Sequence, residues 1–313
     1  MEILDLRHFT SSDLRPLLDH EARVWSRLLA WDYRSSAEMI LRYVDAKILP
    51  GYAAVERGHL KGYSFFVYEG SKGVVGDLFA LPDNGHTQKL EIQLVTHVIA
   101  TLQQSPGIHR IEAQLLVHDA GQVAKPFLDE GFHRHPRIFM TFPLAATLAT
   151  KPRPLPAEIE IRPWADEDYQ PAAAVIAAAY RGHIDSDIND QYRSLNGSLR
   201  FLNNIVRFPG CGVFDSAASF VARERTSHQL VGVLLCSRVK EDVGHITQVC
   251  LVPELRHRGI GETLIAACGA TLKKRGFNTL SLTVTEANAR AVDLYKRLGF
   301  KSERVFDAFV WEG

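Results

Sequence analysis

The residues able to do chemistry in this chain concentrate between positions 245 and 300. Gln248-Val-Cys-Leu-Val-Pro-Glu-Leu-Arg-His-Arg-Gly-Ile-Gly261 runs as an apolar strand into a glycine-bearing turn that opens a helix near 259–275. Amides exposed at a first helical turn, with the positive end of the helix dipole behind them, hold phosphate oxygens. Gly259 and Gly261 let backbone approach a ligand closely, His257 and Ile260 supply backbone between them, and Arg256 and Arg258 add planar donors suited to phosphate. The turn reads as a pyrophosphate cradle. It is not a Walker loop, which needs Gly-Lys-Ser/Thr, nor a dinucleotide fingerprint, because Thr263 and Leu264 stand where a third glycine would. Downstream, Asn288-Ala-Arg-Ala-Val-Asp-Leu-Tyr-Lys-Arg-Leu-Gly-Phe300 places Ala291, Leu294, Tyr295 and Leu298 on one helical stripe.

The elements that must position these residues repeat along the chain. In the second half the patterning predicts helices near 167–180 and 189–207, then strands near 217–224, 230–239 and 244–252. The cradle helix, a strand near 279–285, a helix near 288–298 and closing strands to 311 complete it. The first half has the same order: helices near 11–27 and 35–47, strands near 52–57, 60–69 and 73–81, a helix near 87–104 and a strand near 110–117. Glu2-Ile-Leu-Asp-Leu-Arg7 opens the first copy as Glu158-Ile-Glu-Ile-Arg162 opens the second, and Phe127-Leu-Asp-Glu-Gly-Phe132 stands where Tyr295-Lys-Arg-Leu-Gly-Phe300 stands. Between them Lys151-Pro-Arg-Pro-Leu-Pro156 is a proline-stiffened connector. The reading is an internal repeat of about 150 residues: a domain over 1–146, a linker over 147–156 and a domain over 157–313.

The two motifs together resemble the GNAT superfamily of acyl-coenzyme A-dependent N-acyltransferases. Leu251-x-Pro253-x-x-Arg256-x-x-Gly259-x-Gly261 is similar to its V-x-P-x-x-R/Q-x-x-G-x-G/A signature, and Asn288-x-x-Ala291-x-x-Leu294-Tyr295-x-x-x-Gly299-Phe300 to its second, the resemblance covering 157–313. It implies an α/β (α+β) fold: tandem GNAT-like domains, each a mixed, mostly antiparallel sheet flanked by helices. It implies acetyl-CoA as acyl donor, its pantetheine lying along Val249, Cys250 and Leu251 like an added strand, its pyrophosphate on Arg256 to Gly261, and Asn288 contacting it. Tyr295 would face the thioester sulfur as general acid, and a backbone N–H near Cys250 would serve the oxyanion.

The base is the open position. Where some members carry glutamate, five residues before Asn288, this chain has Thr283; where others carry a strand carboxylate it has His245, whose imidazole suits proton removal near neutral pH. Strict alternation would put 245, 247, 249 and 251 on one strand face. Attack by an amine already neutral in solvent would need no base. The acceptor, a small-molecule or peptide amine, is expected over Tyr180-Arg-Gly-His-Ile-Asp-Ser-Asp187, where His183, Asp185 and Asp187 can orient a cation.

The first copy has lost this chemistry. After Leu81-Pro82 its turn reads Asp-Asn-Gly-His-Thr-Gln-Lys, without the arginines or paired glycines, and Phe127 and Ala120 replace the tyrosine and asparagine. Nine of the 13 histidines lie there, at spacings that match no zinc pattern, and His133 and His135 lack a third ligand, so no metal is expected. With 36 basic and 36 acidic residues the net charge is zero, which disfavours nucleic acid and anionic lipid as partners. The absence of a long apolar run or an export signal predicts a soluble, cytoplasmic protein, monomeric or homodimeric. Cys211, Cys236, Cys250 and Cys268 contain no C-x-x-C pair and read as reduced, mostly buried thiols. A non-catalytic acyl-CoA sensor is the competing class, against which the phenol of Tyr295 argues.

Overall fold

The alternation of Glu2–Asp5 (β1) and Ile159–Pro163 (β7) produces two edge strands, one opening each half of the chain. The computed structural model describes residues 1–83, 85–150, 153–207 and 212–313, so Cys211 and two connector residues lie outside it. Packing groups Met1–Arg137 with Val305–Gly313 as one unit and Ile138–Arg304 as the other.

In the first unit α1 (Ser11–Leu29) and α2 (Arg34–Asp45) precede β2 (Gly51–Glu56), β3 (His59–Glu69) and β4 (Lys72–Ala80). Helix α3 (Thr87–Gln104), β5 (Arg110–Gln114), the short α4 (Ala124–Asp129) and β6 (His133–Pro143) follow. The second unit has α5 (Tyr169–Ala179), α6 (Asp185–Ile188), α7 (Leu195–Val206), β8 (Val213–Phe214), β9 (Phe220–Glu224) and β10 (Leu230–Lys240). Then come β11 (Val243–Leu251), α8 (Ile260–Lys274), β12 (Thr279–Thr285), α9 (Ala289–Leu298) and β13 (Lys301–Glu312). The helix expected over 189–207 is broken. Ser194 caps α7 by accepting the Gly197 N–H at 3.0 Å, and a Cβ on Gly197 would stand 2.4 Å from the Gln191 carbonyl oxygen, so the chain turns there instead of continuing.

Strand order is β1-β2-β3-β4-β5-β13 among the strands of the first unit and β7-β9-β10-β11-β12-β6 among those of the second, with β8 beside β10. The closing strands are thus exchanged: Ala308 to Glu312 of β13 pair antiparallel with Gln114 to Arg110 of β5. Repeat order along the chain and packing differ by these two strands. Phe309 explains the first unit's need for its partner, because its buried ring stacks 4.1 Å from Phe127 at the centre of that core. Helices α1 and α2 bury Leu14, Leu17, Leu18, Ile40 and Leu41 on one sheet face, and α3 buries Leu94, Val98 and Leu102 on the other. In the second unit Ala172, Ile176 and Leu202 of α5 and α7 pack with Val221, Val233 and Leu235. Among the described residues no helix is long and apolar enough to cross a membrane.

Each unit carries a short parallel ladder and a bulge at the same place. Residues 72–75 pair with 110–113 in the first unit, and 243–246 with 279–282 in the second. One extra residue follows each ladder, Gly76 in β4 and Thr247 in β11. Gly76 is required: a Cβ there would lie 2.0 Å from the Phe65 ring.

Candidate active site

Beyond the ladder ending at Ile246 and Leu282, β11 continues to Leu251 and β12 to Thr285. Unpaired parallel edges leave main-chain donors and acceptors for an inserted extended ligand, and Val249, Cys250 and Leu251 lie on that stretch. The strand then turns at Pro253–Leu255 into the cradle. Gly259 caps α8 at φ 81°, preceded by His257 at φ 66°. Thr263 N–H makes the first helical bond, to the Gly259 carbonyl at 3.1 Å, so the amides of Ile260, Gly261 and Glu262 have no intrahelical partner. A Cβ on Gly261 would find only Leu251 Cδ1, at 3.8 Å, so the space over that amide is open.

The cradle arginines have local duties. Arg256 donates to the Ala179 carbonyl at the end of α5, and Arg258 pairs with Glu158 at 3.3 Å. Arg256 therefore ties the turn to the helix that precedes the acceptor loop, a role its spacing did not reveal.

The bulge decides which side chains share a face. Opposite residues in an antiparallel pair point the same way, and His245, Gln248 and Cys250 oppose Ser237, Leu235 and Val233, which alternate on one face of β10. Simple alternation is thus corrected: the extra residue at Thr247 sets His245 with Gln248 and Cys250, toward α5 and α7, and not with Val249 and Leu251. His245 is 4% exposed, its Nδ1 lies 2.9 Å from Ser281 Oγ, and Phe139 stacks over its ring. The Ser281 hydroxyl donates to the Gly244 carbonyl at 3.2 Å, and so accepts from His245 Nδ1–H in the tautomer that carries its proton there.

On the same face Tyr180 donates to Gln248 Oε1 at 2.9 Å and stacks on Tyr192 with ring centroids 4.3 Å apart. The loop beyond it brings His183 and Asp185 within 3.5 Å. Thr285, at the end of β12, donates to Asp185 at 2.5 Å, and Asn288 Nδ2 lies 3.4 Å from His183 Nε2. The Asn288 side chain also caps α9 by accepting the Ala291 N–H at 3.3 Å. Asp187 turns away toward Arg193, 3.9 Å distant. Tyr295 is 7% exposed; burial, then the Asp185 carboxylate and the Cys250 thiol, hold its phenol above the usual range. Burial also pushes the Cys250 thiol up to about 12, Arg256 offsetting only part. Gln248 and Thr285 were not singled out in the sequence, and Tyr180 only as the start of the acceptor loop, although a glutamine directly before the apolar run from Val249 to Val252 was a visible signal.

The first unit holds different groups at matching places. Phe127 is fully buried between Phe132 and Phe309. Asp77, in the bulge-relative position of Gln248, accepts from Tyr33 at 2.5 Å and Tyr63 at 3.1 Å, and Tyr63 also bonds Glu21 at 2.6 Å. Among the described residues no group of three or more His, Cys, Asp or Glu is placed to hold a metal. Cys236 and Cys268 are buried, and neither they nor Cys250 forms a disulfide.

Residues 187–300, which hold the cradle, the diverging strands and Tyr295, match the model of the acetyltransferase (GNAT) family. The chain thus has a tandem GNAT-like fold, and its second half carries the match to that family over residues 187–300. It is similar in structure to a GCN5-related N-acetyltransferase from Sphaerobacter thermophilus, with TM-score 0.63 over 92% of this chain and 91% of that one at 17% identity. It is also similar to a tandem GNAT protein from the clavulanic acid biosynthesis pathway, with TM-score 0.59 over 99% and 98% of the two chains at 13% identity. At such identities the likeness is one of fold. In sequence, 66 residues are 39% identical to an uncharacterized N-acetyltransferase of Methanocaldococcus jannaschii, covering 21% of this chain and 29% of that protein. A further 43% identity over 58 residues links it to the mycothiol acetyltransferase of Thermobispora bispora, covering 18% and 20%. The matches span less than a third of either curated relative.

Proposed function

We propose that the second half of the chain is an N-acetyltransferase that moves the acetyl group of acetyl-CoA to a primary amine by direct attack in a ternary complex. The observation that carries this reading is the divergence of β11 from β12 beyond Ile246 and Leu282, leading into the open amides of Ile260 and Gly261. These groups suit a donor with an amide-bearing arm and a pyrophosphate: main chain from Val249 to Leu251 for the arm, the turn from Arg256 through His257, Arg258, Gly259 and Ile260 to Gly261 for the phosphates, and Asn288 beside the reacting end.

In this mechanism His245 Nε2 takes a proton from the acceptor ammonium. A main-chain N–H near Cys250 donates to the oxygen that gains charge as nitrogen attacks the carbonyl carbon and the carbon–sulfur bond breaks. Tyr295 gives its phenol proton to the departing thiolate and recovers one from the nitrogen. The burial that pushes the Cys250 thiol up to about 12 also raises the basicity of a thiolate leaving beside it, which offsets part of the raised proton affinity of the Tyr295 phenol. The first half, without an arginine-bearing cradle or a phenol at Phe127, is read as non-catalytic.

The test is calorimetric titration of acetyl-CoA into wild type and Gly261→Asp, with thiol release followed across a panel of amines. The added carboxylate has room, since its Cβ meets nothing nearer than 3.8 Å, yet it places negative charge where phosphate would lie. Binding and thiol release in wild type, with binding lost in the variant, support the proposal. Tight binding without release makes the protein an acyl-CoA sensor, and no binding overturns the cradle.

A further inference from the structure

Gln248 is 5% exposed and carries one satisfied and one unsatisfied end. Its Oε1 accepts the Tyr180 phenol proton, whereas Nε2 has no hydrogen-bond partner among the described residues. A buried amide nitrogen without an acceptor is costly, and where one persists it points to a group that arrives later. The strand supplies the context. On one face of β11, in order, stand His245, Gln248 and Cys250. In the proposed reaction the first removes the proton and the last lies beside the thioester, so an acceptor nitrogen reaching both passes over the Gln248 amide.

We infer that Gln248 selects the acceptor: the substrate is an amine with a carbonyl oxygen on the carbon next to the one bearing nitrogen, as in an α-amino amide or a peptide N-terminus, and that oxygen accepts from Nε2. The surroundings favour a carbonyl over other oxygens. A carboxylate would be desolvated opposite a neutral amide walled by Tyr180 and Leu235. A hydroxyl could accept from Nε2 but would bring a proton that needs an acceptor of its own, whereas a carbonyl needs only the donor. The stacked pair Tyr180 and Tyr192 gives the organic part of such a substrate an apolar wall.

The inference rests on the acyl-transfer reading, and the experiment separates the two. Thiol release from acetyl-CoA is measured with alaninamide and with 2-aminobutane, which has similar bulk but no carbonyl, for wild type, Gln248→Met and Gln248→Glu. Dividing the wild-type ratio of kcat/KM for the two amines by the variant ratio cancels their different basicity. Gln248→Glu keeps an acceptor for Tyr180 and, when ionised, replaces the donor by a charge that acts on both amines alike and so cancels in the ratio; it covers the case in which Gln248→Met does not fold. The preference for alaninamide is expected to fall about 100-fold in both variants, since a site built to hydrogen-bond a substrate penalises loss of that bond. An unchanged ratio, or equal slowing with both amines, overturns the inference and assigns the amide to the thioester or the scaffold. Wild type that binds acetyl-CoA but acetylates neither amine also overturns it. Wild type that does not bind acetyl-CoA removes the acyl-transfer reading itself.

Discussion

Tyr295 keeps its proton because burial, the Asp185 carboxylate and the Cys250 thiol all oppose a phenolate beside them. A general acid must hold its proton until the leaving group forms, so the raised affinity suits the role while demanding a strongly basic leaving thiolate. In Tyr295→Phe the ring and its contact with Phe300 survive and only the proton is lost. We expect kcat to fall about 100-fold or more with acetyl-CoA affinity unchanged, read by thiol release and calorimetry. The residue types of the site were legible in sequence: Asn288, Tyr295 and the paired glycines stand at motif spacing. Their local partners were not. Arg256 bonding to Ala179, and Thr285 to Asp185, join residues tens to a hundred positions apart, and no spacing rule reaches that far.

At the scale of elements, α1 and β4 of the first unit bury two carboxyl groups against each other. Glu21 is fully buried, accepts from Trp25 at 3.0 Å and Tyr63 at 2.6 Å, and neighbours Asp77, with Tyr33 the other group facing the pair. Burial first, then the Asp77 charge, raises its proton affinity well above the ordinary carboxylate value of 4.5. A carboxyl whose folded pKa is raised contributes stability that is fully present below its unfolded pKa and is lost as pH rises through the folded value. Wild type should therefore lose thermal stability above about pH 4.5 relative to Glu21→Gln, which imitates the protonated form. Paired melting curves from pH 5 to 9 check this; a difference independent of pH would refute it. The same scale shows how a bulge hides from sequence. Residues 244–252 were read as a strand, and Val243–Leu251 is one, but a single extra residue at Thr247 changes which neighbours His245 meets, because register is settled by the partner strand.

At the scale of the molecule, the exchanged closing strands govern what can be cut out. A fragment beginning at residue 157 lacks β6, which borders β12 in the second unit, and carries the end of β13, which belongs to the first. Residues 138–304 contain the complete second unit. We expect the 138–304 fragment to unfold cooperatively and bind acetyl-CoA, and 157–313 to lack a cooperative transition, both read by calorimetry. What the sequence by itself determined is local and periodic: most elements, the repeat, the glycine turn that opens α8 and the absence of such glycines and arginines from the first half. Amphipathic period, capping residues and glycine spacing are written within a few positions, so they can be read there. What only the tertiary structure decided is pairing: the strand exchange, the divergence of β11 from β12, the face on which His245 lies, and the partnership of Tyr180 with Gln248. Those depend on which distant edge buries the most apolar surface and satisfies the most backbone, and that competition is settled only when the whole chain packs.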